Sequence, residues 1–274
     1  KLLRSCPAID LVLSEERGEN RTIIDQTENK PIVYPSGNAG HLVQVTINGN
    51  CDRPTYTFKI IPVDSQVQAN PDVSDYSNQF SIKSDSIIAV LSTDMPRTFA
   101  VSDETMLGNL IADSFRHYFN SDFAFMHSGG IRAGLSKGSV SFHDILAVLP
   151  FGNSVFHVSM TGKHIMNMIE QGLSGIERSN KRVLQISGGS FLYDPRKPAG
   201  GRLIEILHKG KPINPQAVYT VALPEYLLSG GDEFVINIEE RFIDSQTDVQ
   251  IFEYYLKTQP LYPLDEDRIR IDDN

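Results

Sequence analysis

No stretch of the sequence approaches the roughly 20 consecutive apolar residues that a helix needs to cross a bilayer, and Lys1-Leu2-Leu3-Arg4 lacks the long apolar core of a signal peptide. No membrane span is expected. Positive charge is scarce: 25 Lys and Arg stand against 34 Asp and Glu, for a net charge of −9 and a pI near 5.3. That balance argues against a nucleic-acid polymer as partner, because phosphate backbones are gripped by clustered cations. Any nucleic-acid-like ligand is expected to be small. Cysteine is scarce too. Cys6 and Cys51 cannot build a disulfide framework, and they either pair in an oxidising compartment or are two buried thiols.

Other chemistries are missing at the level of spacing. The seven histidines, His41, His117, His127, His143, His157, His164 and His208, never fall two or four residues apart, and no Cys-x-x-Cys occurs. No zinc or di-iron site is therefore written in local spacing. Ser174 in Gly172-Leu173-Ser174-Gly175 misses the Gly-x-Ser-x-Gly elbow of a serine hydrolase by one residue. Thr161-Gly162-Lys163 fails as a phosphate loop because His164 follows, and it reads as a helix N-terminus. Asn20-Arg21-Thr22 is a glycosylation sequon, a weak signal by itself.

What is present, 40% hydrophobic and 22% charged residues in 274, suffices for one large core or two modest ones. The first sixty residues read as strands: Ile9 to Leu13, Pro31 to Tyr34, and His41 to Ile47 with the alternation of a half-buried strand. Asn48-Gly49-Asn50 turns that strand back into Thr55 to Val63. The polar stretch 66–85, with Asn70-Pro71-Asp72, is the expected linker.

From residue 86 the texture alternates between strands and helices, the mark of an α/β or α+β domain with a mixed sheet. Ile87 to Leu91 is a strand. Ser102 or Asp103 is expected to cap a helix with one apolar face on Met106, Leu107, Leu110, Ile111, Phe115 and Tyr118. Asp122 to Met126 is a strand leading into His127. Ser141 and Asp144 form a capping box, and Pro150 stops the short helix they open. Val155 to Met160 is a strand, and Thr161 caps the next helix. Leu203 to Leu207 starts a hairpin through Lys209-Gly210-Lys211, with Tyr219 to Leu223 as the return strand. The acidic end, Asp265-Glu266-Asp267 and Asp272-Asp273, reads as a solvated tail.

Three loops combine glycine with a side chain suited to a ligand. Gly129 and Gly130 allow close backbone approach beside Arg132, whose planar fork fits an anion or a pair of hydroxyls. Pro150-Phe151-Gly152-Asn153 holds an aromatic ring on a turn. Tyr226, followed by Gly230, Gly231 and Asp232, pairs a second ring with a carboxylate able to accept from ribose hydroxyls. Taken singly, each loop is read as turn chemistry, core rings and an internal ion pair. Taken together, they match a nucleoside, with its flat base and its diol.

At these residues the chain resembles the 5'-nucleotidase family. The resemblance spans about Ser86 to the end, through Gly108-Asn109-Leu110-Ile111-Ala112-Asp113, Gly129-Gly130-Ile131-Arg132, Val148-Leu149-Pro150-Phe151-Gly152-Asn153, Met160-Thr161-Gly162-Lys163, Gly210-Lys211-Pro212-Ile213, Tyr219-Thr220-Val221-Ala222 and Ser229-Gly230-Gly231-Asp232. It implies that residues 86–274 are the family's C-terminal substrate-binding domain, with a mixed sheet flanked by helices. It also implies a base stacked between Phe151 and Tyr226, Asn153 on the base, Asp232 on the ribose hydroxyls, and Arg132 on the ribose or phosphate side. Arg97 fills one expected arginine place, while Val101 and Asp103 stand where some members have another.

Residues 1–65 look like the last strands of the family's metallophosphoesterase-like αββα sandwich, through Pro7-Ala8-Ile9-Asp10-Leu11-Val12-Leu13, Lys30-Pro31-Ile32-Val33-Tyr34 and Gly40-His41-Leu42-Val43. Where the family carries a Gly-His-Ser-His or Gly-His-Ser-Gln metal motif, this chain has Ser14-Glu15-Glu16-Arg17-Gly18-Glu19-Asn20. The carboxylates Glu15, Glu16 and Glu19 read as solvated rather than as metal ligands. No catalytic residue, no metal ligand and no cofactor is therefore expected in this chain. Zinc or manganese is expected only in a complete catalytic domain, since phosphomonoester hydrolysis in the family runs on two metals.

The opening without Met reads as that of a piece cut from a longer polypeptide, whose catalytic domain would be its partner. The expectation is the nucleotide-recognising part of an extracellular or periplasmic phosphohydrolase, inactive alone. The alternative is a non-catalytic homologue that binds nucleosides or a protein, and a purely structural domain is a third reading.

Overall fold

The computed structural model describes residues 2–14, 21–35, 40–50, 54–64, 66–76, 86–97, 104–174, 176, 183–260 and 267–272, with only the backbone of 243 and 244. Two compact units divide the chain, Lys1–Ser77 and Asn78–Asn274.

The first unit starts with one helical turn, α1 (Leu2–Ser5), has a helical segment over 71–76 within the stretch read as a linker, and is built of strands between them. β1 (Val12–Leu13), β2 (Ile23–Thr27) and β3 (Lys30–Tyr34) form a sheet in the order β1-β3-β2, with β1 parallel and β2 antiparallel to β3. Glu28 and Asn29 turn β2 into β3 with φ of 57° and 59°, the paired left-handed geometry that a two-residue hairpin needs. β2 went unseen in the sequence, and the strand expected from Ile9 shrinks to Val12–Leu13. Lys30 accounts for the shortening: its ammonium donates to the carbonyls of Pro7 and Ile9 at 2.5 and 2.6 Å, satisfying that backbone without a ladder. β4 (His41–Asn48) and β5 (Thr55–Pro62) form the expected hairpin, in register from His41 opposite Pro62 to Asn48 opposite Thr55. Cys6 is exposed. Its proposed partner Cys51, and Asn20 of the sequon, lie outside the described residues.

The second unit is organised by a five-stranded mixed sheet in the order β10-β7-β14-β9-β15. Its strands are β7 (Phe123–His127), β9 (Ser154–Thr161), β10 (Leu184–Ser187), β14 (Val218–Pro224) and β15 (Glu240–Thr247). β7 and β14 run parallel, and the other pairings are antiparallel. Every residue of β7 is buried, because both faces of the sheet are covered. Ala124, Met126 and Ala222 point into one core, with α2 (Met106–Phe119) and α6 (Asp248–Thr258). Phe123, Phe125, Val221 and Leu223 point into the other, with α4 (Gly162–Leu173). Such double burial is why the strand reads as an unbroken apolar run.

Two-stranded β6 (Ile87–Leu91) and β8 (Gly138–Ser141) lead into α3 (Phe142–Val148). A smaller sheet holds β11 (Gly189–Tyr193), β12 (Leu203–His208), β13 (Lys211–Pro212) and β16 (Ile269–Ile271) in the order β13-β12-β11-β16. A one-turn helix, α5 (Glu225–Leu228), follows β14.

Local chemistry sets the helix starts. Ser141 and Asp144 close the capping box, and Thr161 accepts from the His164 N–H. α2 corrects the sequence reading: its cap is Thr105, whose hydroxyl accepts from Gly108 N–H at 3.0 Å, while Ser102 and Asp103 lie outside the described residues. A second correction concerns the hairpin at Lys209-Gly210. Its return strand is the two-residue β13, stopped after Pro212, whereas Tyr219 to Leu223 lies in the large sheet between β7 and β9. The acidic C-terminal region is likewise no free tail over 267–272, since β16 pairs with β11 and Asp272 N–H donates to Tyr193.

Candidate functional site

The C-terminal ends of parallel β7 and β14 and the N-terminal end of antiparallel β9 meet at one end of the large sheet. The three glycine-marked loops leave from there. They surround a cavity of about 390 Å³ lined by His127, Gly129, Arg132, Phe151, Asn153, Tyr226 and Asp232. That volume lies within the usual range for small-molecule pockets, about 300–1,000 Å³, at the sheet end where α/β folds bind ligands.

Tyr226 is held on several sides. One face of its ring stacks on His127, with centroids 4.8 Å apart and planes 20° apart. Its hydroxyl donates to Asp232 Oδ1 at 3.1 Å. Gly231 presses on the ring edge so closely that a Cβ there would sit 2.5 Å from Tyr226 ring carbons. Tyr226 remains 39% exposed, with His127 against one face of its ring. Asp232 has φ of 50° and follows Gly230 at φ 87°. This left-handed backbone costs a non-glycine residue about 1–3 kcal/mol and carries the carboxylate to the cavity.

Phe151 stands 60% exposed on a turn whose Gly152 has φ of 58°. The Arg132 guanidinium lies 5.7 Å from the centre of that ring, within cation–π range, and its Nη1 donates to the Gly129 carbonyl at 3.5 Å. Five of the six expected side chains thus line one cavity. Arg97 does not line it: its Nη1 donates to the Arg132 carbonyl at 3.2 Å, and it borders an adjoining surface cleft together with Arg132. Of the supporting glycines, Gly130 packs under the pocket, where a Cβ would meet Met126 and His127 at 2.6 and 2.7 Å.

Residues 87–237 match the family described as 5'-nucleotidase, C-terminal domain. The chain belongs to that family. Among curated relatives, the trifunctional nucleotide phosphoesterase protein YfkN of Bacillus subtilis (strain 168) is 26% identical over 94% of this chain and 19% of its own length. A 5'-nucleotidase-related protein of Glossina morsitans morsitans is 27% identical over 89% of this chain and 52% of its own. This chain therefore spans from a fifth to about half the length of those relatives. Two solved structures share its fold: a 5'-nucleotidase precursor from Thermus thermophilus (TM-score 0.68, 22% identity, 96% of this chain and 58% of that one) and a putative 5'-nucleotidase from Staphylococcus aureus (TM-score 0.73, 15% identity, 98% and 58%).

Two buried residues support this cavity, and sequence reasoning missed both. His127 is 4% exposed, and its Nδ1 has no hydrogen-bond partner among the described residues. Burial lowers its pKa to about 4, against a smaller opposing pull from Asp232. The ring is therefore neutral at pH 7. The one hint in the sequence is its place, as the polar last letter of an apolar strand ahead of a glycine pair. Asp248, 0% exposed, sits behind Asn153: its Oδ2 accepts from Asn153 Nδ2 at 3.3 Å, and its N–H donates to the Asn153 carbonyl at 2.9 Å. Burial raises its pKa to about 6.

Among the described residues, no group of three or more His, Cys, Asp or Glu gathers that could hold a metal ion. Glu15, Glu16 and Glu19 lie outside them.

Proposed function

We propose that residues 78–274 recognise the nucleoside part of a nucleotide for a 5'-nucleotidase-type phosphohydrolase. The observation that carries this reading is the convergence of two exposed rings, a diol-accepting carboxylate, an arginine and an asparagine on one cavity. The base stacks on the rings of Phe151 and Tyr226, which both line the cavity. Asp232, with one oxygen engaged by the Tyr226 hydroxyl, offers the other to ribose hydroxyls. Arg132 takes the hydroxyl or phosphate side, and Asn153 reads the base. Hydrolysis of nucleoside 5'-phosphates belongs, in this reading, to the chain joined to a metal-bearing catalytic domain, at an extracellular or periplasmic location. The relatives' names, nucleotide phosphoesterase and 5'-nucleotidase, support the substrate class.

Calorimetric titration with adenosine and AMP tests it. Wild type binds, and Phe151→Ala loses about 5- to 160-fold, the equivalent of about 1–3 kcal/mol for one stacked base. Absence of heat with both ligands in the wild type overturns the reading.

A further inference from the structure

Asp248 is a buried carboxylate with no cation beside it among the described residues. It is 0% exposed, and the groups that shift its pKa are burial itself and hydrogen bonds from Val249 and Asn153, with no charged neighbour among them. Its Oδ1 accepts the Val249 N–H at 2.8 Å, and its Oδ2 accepts from Asn153. A buried charge without a countercharge is costly. Its ties are to the start of α6 and to Asn153, the residue that carries an amide into the cavity.

From this geometry we propose that Asp248 is a positioning residue that locks the Asn153 amide with its amino group turned inward and its carbonyl oxygen offered to the ligand, selecting nucleosides whose base presents an exocyclic amino group. The inference rests on the nucleoside reading above. An ionised carboxylate can only accept hydrogen bonds. With its pKa near 6, Asp248 is mostly ionised at pH 7.5, so the reversed amide would set oxygen against oxygen. The choice between Nδ2 and Oδ1 is thereby imposed by Asp248 and not left to the ligand. A second tie, Asp248 N–H to the Asn153 carbonyl at 2.9 Å, fixes the backbone from which the amide springs. A base with an amino group then satisfies Oδ1, while a base lacking one leaves that acceptor unpaired when the ligand excludes water.

The test uses the full chain, with adenosine and purine riboside as calorimetric probes, the two differing by the 6-amino group alone. Wild type is expected to favour adenosine by about 10-fold, the discrimination that a lost hydrogen bond to a buried partner brings. In Asp248→Asn the residue at 248 donates as readily as it accepts, the Asn153 amide is free to turn, and the ratio falls toward one while purine riboside affinity stays within about 3-fold, as the stacking rings are untouched. In Asn153→Ala the ratio also collapses, and adding Asp248→Asn changes it no further. Should Asp248→Asn fail to fold, Asn153→Ala alone remains decisive, because a persisting adenosine preference there overturns the proposal. A wild type that binds both probes equally, or an Asp248→Asn that weakens both alike with its ratio unchanged, overturns it too and leaves the nucleoside reading standing. A wild type that binds neither overturns both.

Discussion

The His127 imidazole lies face to face with the Tyr226 ring, 4.8 Å between centroids and 20° between planes, and makes a buried wall for a ring that lines the cavity. A flat neutral ring is suited to that place, because a protonated one would bury a charge. His127→Ala removes the wall. We expect adenosine affinity to fall about 10-fold as Tyr226 loses the contact that orders it, aromatic pairs being worth about 0.5–1.5 kcal/mol beyond their area. The melting temperature should fall too, as a buried side chain is lost. His127→Phe, which restores a stacking ring, should recover most of the affinity. Titration of both variants by calorimetry decides it, and equal weakening by Ala and Phe would sink the stacking role.

Gly231 sets the same ring from its edge. A methyl there would approach Tyr226 carbons to 2.5 Å, and a ring fixed by His127 and Asp232 cannot yield cheaply. Gly231→Ala is expected to displace Tyr226 and weaken nucleoside binding by at least about 10-fold, on the scale of a lost stacked base. Gly200→Ala is the matched control, at φ 94° with no atom within 4 Å of the added Cβ. It should cost about 1 kcal/mol of stability through its backbone alone and leave binding unchanged.

The site was legible in the sequence wherever glycine flanked an exposed functional side chain. Phe151 beside Gly152 and Tyr226 before Gly230-Gly231-Asp232 are conspicuous because each ring stands next to glycine turn chemistry and a polar side chain. His127 and Asp248 were illegible because their roles come from burial: the sequence shows a histidine and an acidic helix start, while a desolvated ring and an uncompensated carboxylate exist only after packing. The fold divides the same way. β7 and β14 stand out as apolar runs, but nothing local says that Tyr219–Leu223 pairs with β7 and β9 instead of returning to β12. Partner choice is settled by the shared cores. Thr105 lost out to Ser102 and Asp103 as the cap because all three carry a suitable oxygen, and only the path of the chain selects among them.

Arg268 and Asp113 join β16 to α2 through two parallel bonds, Nη1 to Oδ1 at 2.8 Å and Nη2 to Oδ2 at 2.9 Å, with side chains 16% and 13% exposed. Ser187 adds a hydroxyl bond to Asp113 at 2.5 Å, and Arg116 donates to that same hydroxyl at 2.8 Å. Asp113→Ala leaves the half-buried Arg268 guanidinium without its carboxylate, so we expect a loss of about 1.5–3 kcal/mol, the worth of hydrogen bonds to a charged group. Removing both charges with Asp113→Leu and Arg268→Met should recover much of it. Urea unfolding of the single and double variants measures the difference, and a loss below about 1 kcal/mol in Asp113→Ala would place the pair among inconsequential surface bridges.

The two buried titrating groups of the site pull stability in opposite directions with pH. His127 has a folded pKa near 4 against 6.5 unfolded, so its contribution is complete above pH 6.5 and drains as pH falls through 4, where the unfolded chain binds the proton first. Asp248 has a folded pKa near 6 against 3.8 unfolded. Its contribution is therefore complete below about pH 3.8 and is lost as pH rises through 6, leaving a strained ionised carboxylate at neutral pH. Asp248→Asn relieves that strain, so the variant should gain on wild type as pH rises from 4 to 7.5, by up to about 3 kcal/mol if the whole shift is realised. His127→Gln should instead flatten the loss of stability between pH 6.5 and 4. Urea midpoints for the three proteins across that range measure both slopes. An Asp248→Asn effect equal at pH 4 and pH 7.5 would mean that the carboxylate is solvated in the folded chain, and an unaltered acid limb in His127→Gln would mean that the imidazole titrates freely.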